Sequence, residues 1–77
     1  MKSLRKAFDV LDYLAKEKRD MRLTEISSAL SINKSSVHKM LAVMCEYEYA
    51  RQDSDTNKYG LGGKFVKIGS TMLRGTN

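Results

Sequence analysis

The sequence predicts a mainly α fold with one small β-hairpin: a winged helix-turn-helix, made of a three-helix bundle plus a wing and followed by the start of a further helix. Three observations carry this expectation. Two short amphipathic segments are joined by only Ser31-Ile32-Asn33, the outline of a helix-turn-helix. Two short segments with aromatic content, Tyr49-Ala50-Arg51-Gln52 and Lys58-Tyr59-Gly60-Leu61, flank Asp53-Ser54-Asp55-Thr56-Asn57, which is almost pure turn chemistry. Finally, 77 residues of which 42% are hydrophobic and 30% charged suffice for one domain with a small core.

Helix 1 is expected from about Leu4 to Lys16 or Lys18, with Ser3 as its N-cap. Leu4, Ala7, Phe8, Leu11, Leu14 and Ala15 recur at the helical period within an arc of about 120°, a core-facing stripe. Val10 and Tyr13 lie off that stripe and read as surface apolars or as contacts to a second subunit. Glu17-Lys18-Arg19-Asp20 reads as a solvated turn. Helix 2 starts at Thr24, whose hydroxyl can cap it, with Glu25 favouring the positive end of the helix dipole. It carries Ile26, Ala29 and Leu30 on one face and ends near Leu30.

Asn33 is a strong N-cap for helix 3, expected over about 34–47. Val37, Met40, Leu41 and Met44 line one face, while Ser35, His38, Lys39 and Ala42 line the other. From Ile26 to Cys45 there is no acidic residue, and Lys34 and Lys39 supply positive charge. One side is therefore core and the other is short, polar and basic. Such a face suits a major groove, where Ser, Lys and His meet base edges and phosphates. An ordinary solvated helix face would look the same in isolation; the preceding helix and tight turn favour DNA.

The wing spans about 49–61, with Asn57 suited to a left-handed backbone at the end of its loop. Tyr47 and Tyr49 are expected to close the core between helix 3 and the wing, while Tyr59 reads as packing or as stacking on a sugar, packing being favoured. Arg51 and Lys58 are phosphate candidates, whereas Asp53 and Asp55 are turn formers. Gly62-Gly63 breaks the strand, and an amphipathic segment with Phe65, Val66, Ile68 and Leu73 follows, expected to fray near Gly75-Thr76-Asn77.

Other chemistries fail on spacing. His38 and Cys45 are seven residues apart on one helix, about 10 Å along its axis, too far for a nucleophile and its base. Cys45 reads as a small buried or half-buried hydrophobe. One His and one Cys cannot build a zinc site from the usual ligands, so no metal and no cofactor is expected. Gly60-Leu61-Gly62-Gly63-Lys64 lacks the Ser or Thr a phosphate loop needs after its Lys, leaving only a helix N-terminus whose amides could touch a DNA phosphate. An 8.7 kDa chain leaves little room for an enclosed active site, and an enzyme is not expected. A lone cysteine implies no oxidising compartment, no apolar run approaches about 20 residues, and no signal peptide opens the chain, so the expected location is the cytoplasm, with no membrane partner. The net charge of +5 suggests a polyanion partner.

Leu23-Thr24-Glu25-Ile26, Ala29-Leu30 and Asn33-Lys34-Ser35-Ser36-Val37-His38-Lys39-Met40-Leu41 resemble the N-terminal winged helix-turn-helix of the isocitrate-lyase-regulator (IclR) family. So do the wing pattern Tyr49-Ala50 … Asp55-Thr56-Asn57-Lys58-Tyr59-Gly60-Leu61-Gly62, the following Ile68-Gly69 and the opening Ser3-Leu4-Arg5-Lys6-Ala7. The resemblance covers nearly the whole chain. It implies a bacterial transcription regulator whose recognition helix presents Lys34, Ser35, Ser36, His38 and Lys39 to DNA. It also implies a homodimer on a near-palindromic operator and a C-terminal domain that binds a small effector. That domain is absent from this chain, so residues 1–62 would be the DNA-binding domain and 63–77 the start of a linker helix, in a fragment or a naturally short protein. Ser31 and Glu48 stand where the family usually has glycine; a left-handed backbone at Ser31 would cost about 1 kcal/mol.

The expected function is sequence-specific binding of double-stranded DNA, with helix 3 in the major groove. Thr24, Arg51, Lys58 and Arg5, with Lys2 and Lys6, complete the expected contacts, the basic residues holding phosphates. The alternative is a winged-helix protein-interaction module. The acid-free, Ser- and Lys-rich face of helix 3 argues against it.

Overall fold

Six segments take regular structure in the computed structural model, which describes residues 1–75: α1 (Lys2–Glu17), α2 (Leu23–Leu30), α3 (Lys34–Glu46), β1 (Ala50–Gln52), β2 (Tyr59–Leu61) and α4 (Lys64–Arg74). Thr76 and Asn77, where fraying is expected, lie outside the described residues. The order matches a winged helix-turn-helix, with α1, α2 and α3 bundled and β1–β2 as the wing.

The helix starts differ from the sequence reading. α1 begins at Lys2, so Ser3 lies inside its first turn and caps nothing; no side chain caps this helix. α2 begins at Leu23, one residue before Thr24. Its free end is closed by Glu25, whose Oε1 accepts from the Arg22 amide at 2.9 Å. Asn33 does cap α3: its Oδ1 accepts from the Ser35 amide at 2.8 Å and from the Ser35 hydroxyl.

The turn between α2 and α3 is pinned by Ser27, a buried residue whose hydroxyl donates to the Ile32 carbonyl while the Ile32 amide donates to the Ser27 carbonyl at 3.1 Å. Ser31 passes through φ 54°, a left-handed backbone that favours glycine. Glu48 does the same at φ 66° where α3 gives way to the wing. These are the two positions where the resemblance implies a glycine and the sequence has none.

The core draws on every element but α4: Val10 and Leu14 from α1, Met21 from the α1–α2 connection, Ile26 from α2, Ile32 from the turn, Val37, Leu41 and Met44 from α3, Ala50 and Tyr59 from the wing. Each fully buried aliphatic among them contributes about 1.5–3 kcal/mol of burial. The expected α1 stripe is corrected. Val10 is fully buried and Tyr13 packs against the core, whereas Leu4 and Phe8 are 49% and 57% exposed and Ala15 is exposed. Ala29 is exposed too; Ser27 takes the inner position on α2. Tyr59 is buried as expected, Tyr49 is half-buried and meets Phe65 edge to face at 5.4 Å, but Tyr47 is 61% exposed and closes nothing.

The wing is an antiparallel pair with Ala50 opposite Leu61, Arg51 opposite Gly60 and Gln52 opposite Tyr59. Asp53 organises its loop: Oδ1 accepts from the amides of Asp55 and Thr56, and the Asp53 carbonyl accepts from Asn57 at 2.8 Å. Asn57 has φ 62°, the left-handed backbone its position was expected to need. Met21 adds a bridge on the outer side of β2, exchanging backbone hydrogen bonds with Tyr59 at 2.8 and 2.7 Å.

Candidate nucleic-acid interface

α3 is positioned by its apolar face. With Val37, Leu41 and Met44 buried, Lys34, Ser35, His38, Lys39 and Ala42 are turned out and exposed. Ser36 is half-buried and stands at the edge of that face rather than on it. Neither Lys34 nor Lys39 makes an ion pair among the described residues, so both charges face outward. The Ser35 hydroxyl is turned toward Asn33, so capping and the outward face share one side chain.

Thr24 is exposed in the first turn of α2 and meets His38 in a shallow notch of about 370 Å³ between α2, α3 and the wing. Arg22, Gln52, Thr56 and Asn57 also line this notch; none was singled out as a contact from the sequence. Their signal was weak: the wing segment reads as turn chemistry, and only the folded hairpin brings its tip round to the helix. Gln52 stiffens that tip by donating to the Asn57 carbonyl at 3.1 Å.

The wing cations differ from expectation in their surroundings. Arg51 is exposed, but its guanidinium forks onto Asp20, with Nη1 to Oδ2 at 3.0 Å and Nη2 to Oδ1 at 2.8 Å. The Arg51 hydrogen bond, opposed by desolvation and aided by the charges of Arg51 and Lys58, holds the Asp20 carboxyl below the usual carboxylate range. Lys58 is half-buried, and its charge also helps to hold the Glu25 carboxyl low, after the Arg22 amide and the Arg19 guanidinium. Lys2, Arg5 and Lys6 are exposed at the start of α1. Cys45 is half-buried and its thiol is pushed up by burial, which suits a packed hydrophobe and not a nucleophile. The start of α4 is engaged by the wing root: the Lys64 amide donates to the Glu48 carbonyl at 3.0 Å, so this amide is not open to a phosphate. No helix among the described residues is long and apolar enough to cross a membrane.

Residues 3–54 match the IclR helix-turn-helix domain. The HTH-type transcriptional regulator KdgR of Escherichia coli (strain K12) is 32% identical over 72 residues, covering 94% of this chain and 27% of KdgR. The HTH-type transcriptional regulator XynR of the same organism is 29% identical over 73 residues, covering 95% of this chain and 29% of XynR. The chain thus spans less than a third of the curated relatives it matches. The crystal structure of the Thermotoga maritima IclR superposes with a TM-score of 0.89 at 31% identity, covering 100% of this chain and 31% of that one. With the outward basic face of α3, the wing beside it and a matching family model over most of the sequence, the chain belongs to the IclR helix-turn-helix family, as a DNA-binding domain of transcription-regulator type.

Proposed function

We propose that this chain binds double-stranded DNA sequence-specifically, with α3 in the major groove and the wing along the backbone. The exposed, acid-free face carrying Lys34, Ser35, His38 and Lys39 is the observation that carries the reading. Ser35 and His38 take base edges; Lys34, Lys39, Thr24, Lys2, Arg5 and Lys6 take phosphates, with Ser36 at the margin. Lys58 supports the wing's approach to the backbone.

Residues 1–62 act as the DNA-binding domain and 63–77 begin a linker to an effector-binding domain in a longer cytoplasmic regulator. The chain's small share of its relatives' length supports this. The regulator works as a homodimer on a near-palindromic operator, its half-sites about one helical turn or a multiple apart. Support comes from α4, whose Phe65, Ile68, Met72 and Leu73 are exposed and which buries no residue, and from Leu4 and Phe8 on α1. Exposed apolar side chains grouped along a helix call for a cover.

Gel-shift titration tests the reading. If each protomer neutralises about 4 phosphates, log K falls with log salt at a slope near −7 for the dimer. Lys39→Ala weakens binding and reduces the slope by about 1 per protomer. Ser35→Ala changes the preferred sequence more than the slope. A slope near zero, or both variants behaving as the unaltered chain, overturns it.

A further inference from the structure

The wing is tied to the rest of the domain unequally. β2 is held by backbone: Met21 and Tyr59 exchange two hydrogen bonds. β1 lies beyond β2 from that connection; its root is packed on α3 through the buried Ala50, and the Arg51 side chain is what reaches from it back to the α1–α2 connection, closing a two-pronged bridge to Asp20. Between them stands Gly60, directly opposite Arg51 in the hairpin. A Cβ at Gly60 would run into Asp20 Oδ1 and the Arg51 guanidinium. The missing side chain is therefore the gap through which arginine on one strand meets aspartate on the far side of the next. The Asp20 side chain is only 28% exposed, so its charge is turned to Arg51 more than to water.

We propose that Asp20, Gly60 and Arg51 form a cross-strand brace that sets the angle of the wing against α3, so that Arg51 is a positioning residue and not a phosphate contact. The inference rests on the DNA-binding reading. A planar guanidinium fits a carboxylate with two parallel hydrogen bonds in a fixed direction, which an ammonium cannot do. Fixing β1 fixes the hairpin tip, and with it Gln52 and Asn57 beside His38 in the notch. Asp20 and Arg51 together present little net charge to a DNA backbone, which is the opposite of what a phosphate clamp requires.

The test separates brace from clamp by charge and geometry. Binding of the full chain to a random-sequence duplex, and to a duplex recovered by selection with the unaltered chain, is titrated across salt for Asp20→Asn, Arg51→Ala, Arg51→Lys and the double variant Asp20→Asn/Arg51→Ala. For a brace, each single change lowers affinity for the selected duplex about threefold to tenfold. Arg51→Lys is then no better than Arg51→Ala, the double variant is no worse than either, and the salt slope stays put. A clamp predicts the reverse: Arg51→Lys restores binding, Arg51→Ala reduces the slope by about 1 per protomer, and Asp20→Asn tightens binding. That pattern overturns the proposal. Residual dipolar couplings of the wing amides, measured on unbound protein, keep the outcomes distinguishable. If the unaltered chain binds no DNA, the functional reading fails, while reorientation of residues 50–61 in Asp20→Asn still upholds the brace. Unchanged couplings in that variant overturn it.

Discussion

α3 and α1 are both amphipathic, yet only in α3 does the stripe visible in the sequence become the core face. Val37, Leu41 and Met44 go inside with Met40 beside them, and the polar side faces out. In α1 the apolar residues spread over a sector wider than one partner needs. One flank, Val10 and Leu14 with Tyr13, enters the core; the other, Leu4 and Phe8, remains outside. Rotation by roughly 100° per residue puts Val10 and Leu4 about 120° apart, so one neighbour cannot cover both. The difference teaches that periodicity identifies an apolar face but not what lies against it. α1 buries one flank and leaves the other exposed, whereas α3 turns a polar face outward.

The sharpest way to break this comparison is to truncate one residue of each kind. Leu41→Ala, at 0% exposure, is expected to lower the unfolding free energy by about 2–5 kcal/mol. Phe8→Ala is expected to change it by less than about 0.5 kcal/mol when measured by urea titration of dilute protein, despite the larger side chain removed. Comparable losses would show that Phe8 belongs to the core after all.

The second test concerns what covers the outer flank. Phe8→Ser and Val66→Ser remove apolar surface from α1 and α4, where Phe8 is 57% and Val66 72% exposed. Sedimentation equilibrium should show self-association weakened about tenfold or more in the combined variant, a change of roughly 1.4 kcal/mol, with the thermal midpoint of dilute protein unchanged. Equal association by the variant and the unaltered chain would free these faces from any role in dimerisation.

Legibility followed the range of the interactions. Asn33 as a cap, Asn57 in the left-handed region and the two faces of α3 are set by residues a few positions apart, so the sequence declares them. Ser3 and Thr24 misled because capping propensity is local while a helix start is not. α1 begins at Lys2, before Ser3, and α2 is closed by Glu25 reaching back to the Arg22 amide. The brace was invisible for another reason: Asp20 and Arg51 are 31 residues apart, and an ion pair across a fold leaves no periodic trace. The charge of Arg51 was legible and its partner was not. Likewise Arg22, Gln52 and Asn57 gather near His38 only once the hairpin folds.

The smallest expected effect lies at the end of α3, where a polar face hands over to the wing. Glu48 holds φ 66°, and the left-handed region costs a residue with a Cβ about 1–2 kcal/mol. Glu48→Gly removes that strain but loosens the unfolded chain, which takes back about 0.4–1 kcal/mol. The ion pair it deletes, Glu48 to Lys67 at 3.7 Å, has both side chains more than 60% exposed and is worth little. The balance is a gain of roughly 0.5–1 kcal/mol in urea titration. Gly62→Ala provides the opposing control, because its new Cβ would strike the Glu48 carbonyl, a backbone atom that also accepts from Lys64 and cannot swing aside. Stabilisation by the first change and loss by the second would place the strain in the backbone at Glu48; a loss in both would mean that the glutamate side chain itself supports the junction between α3 and the wing.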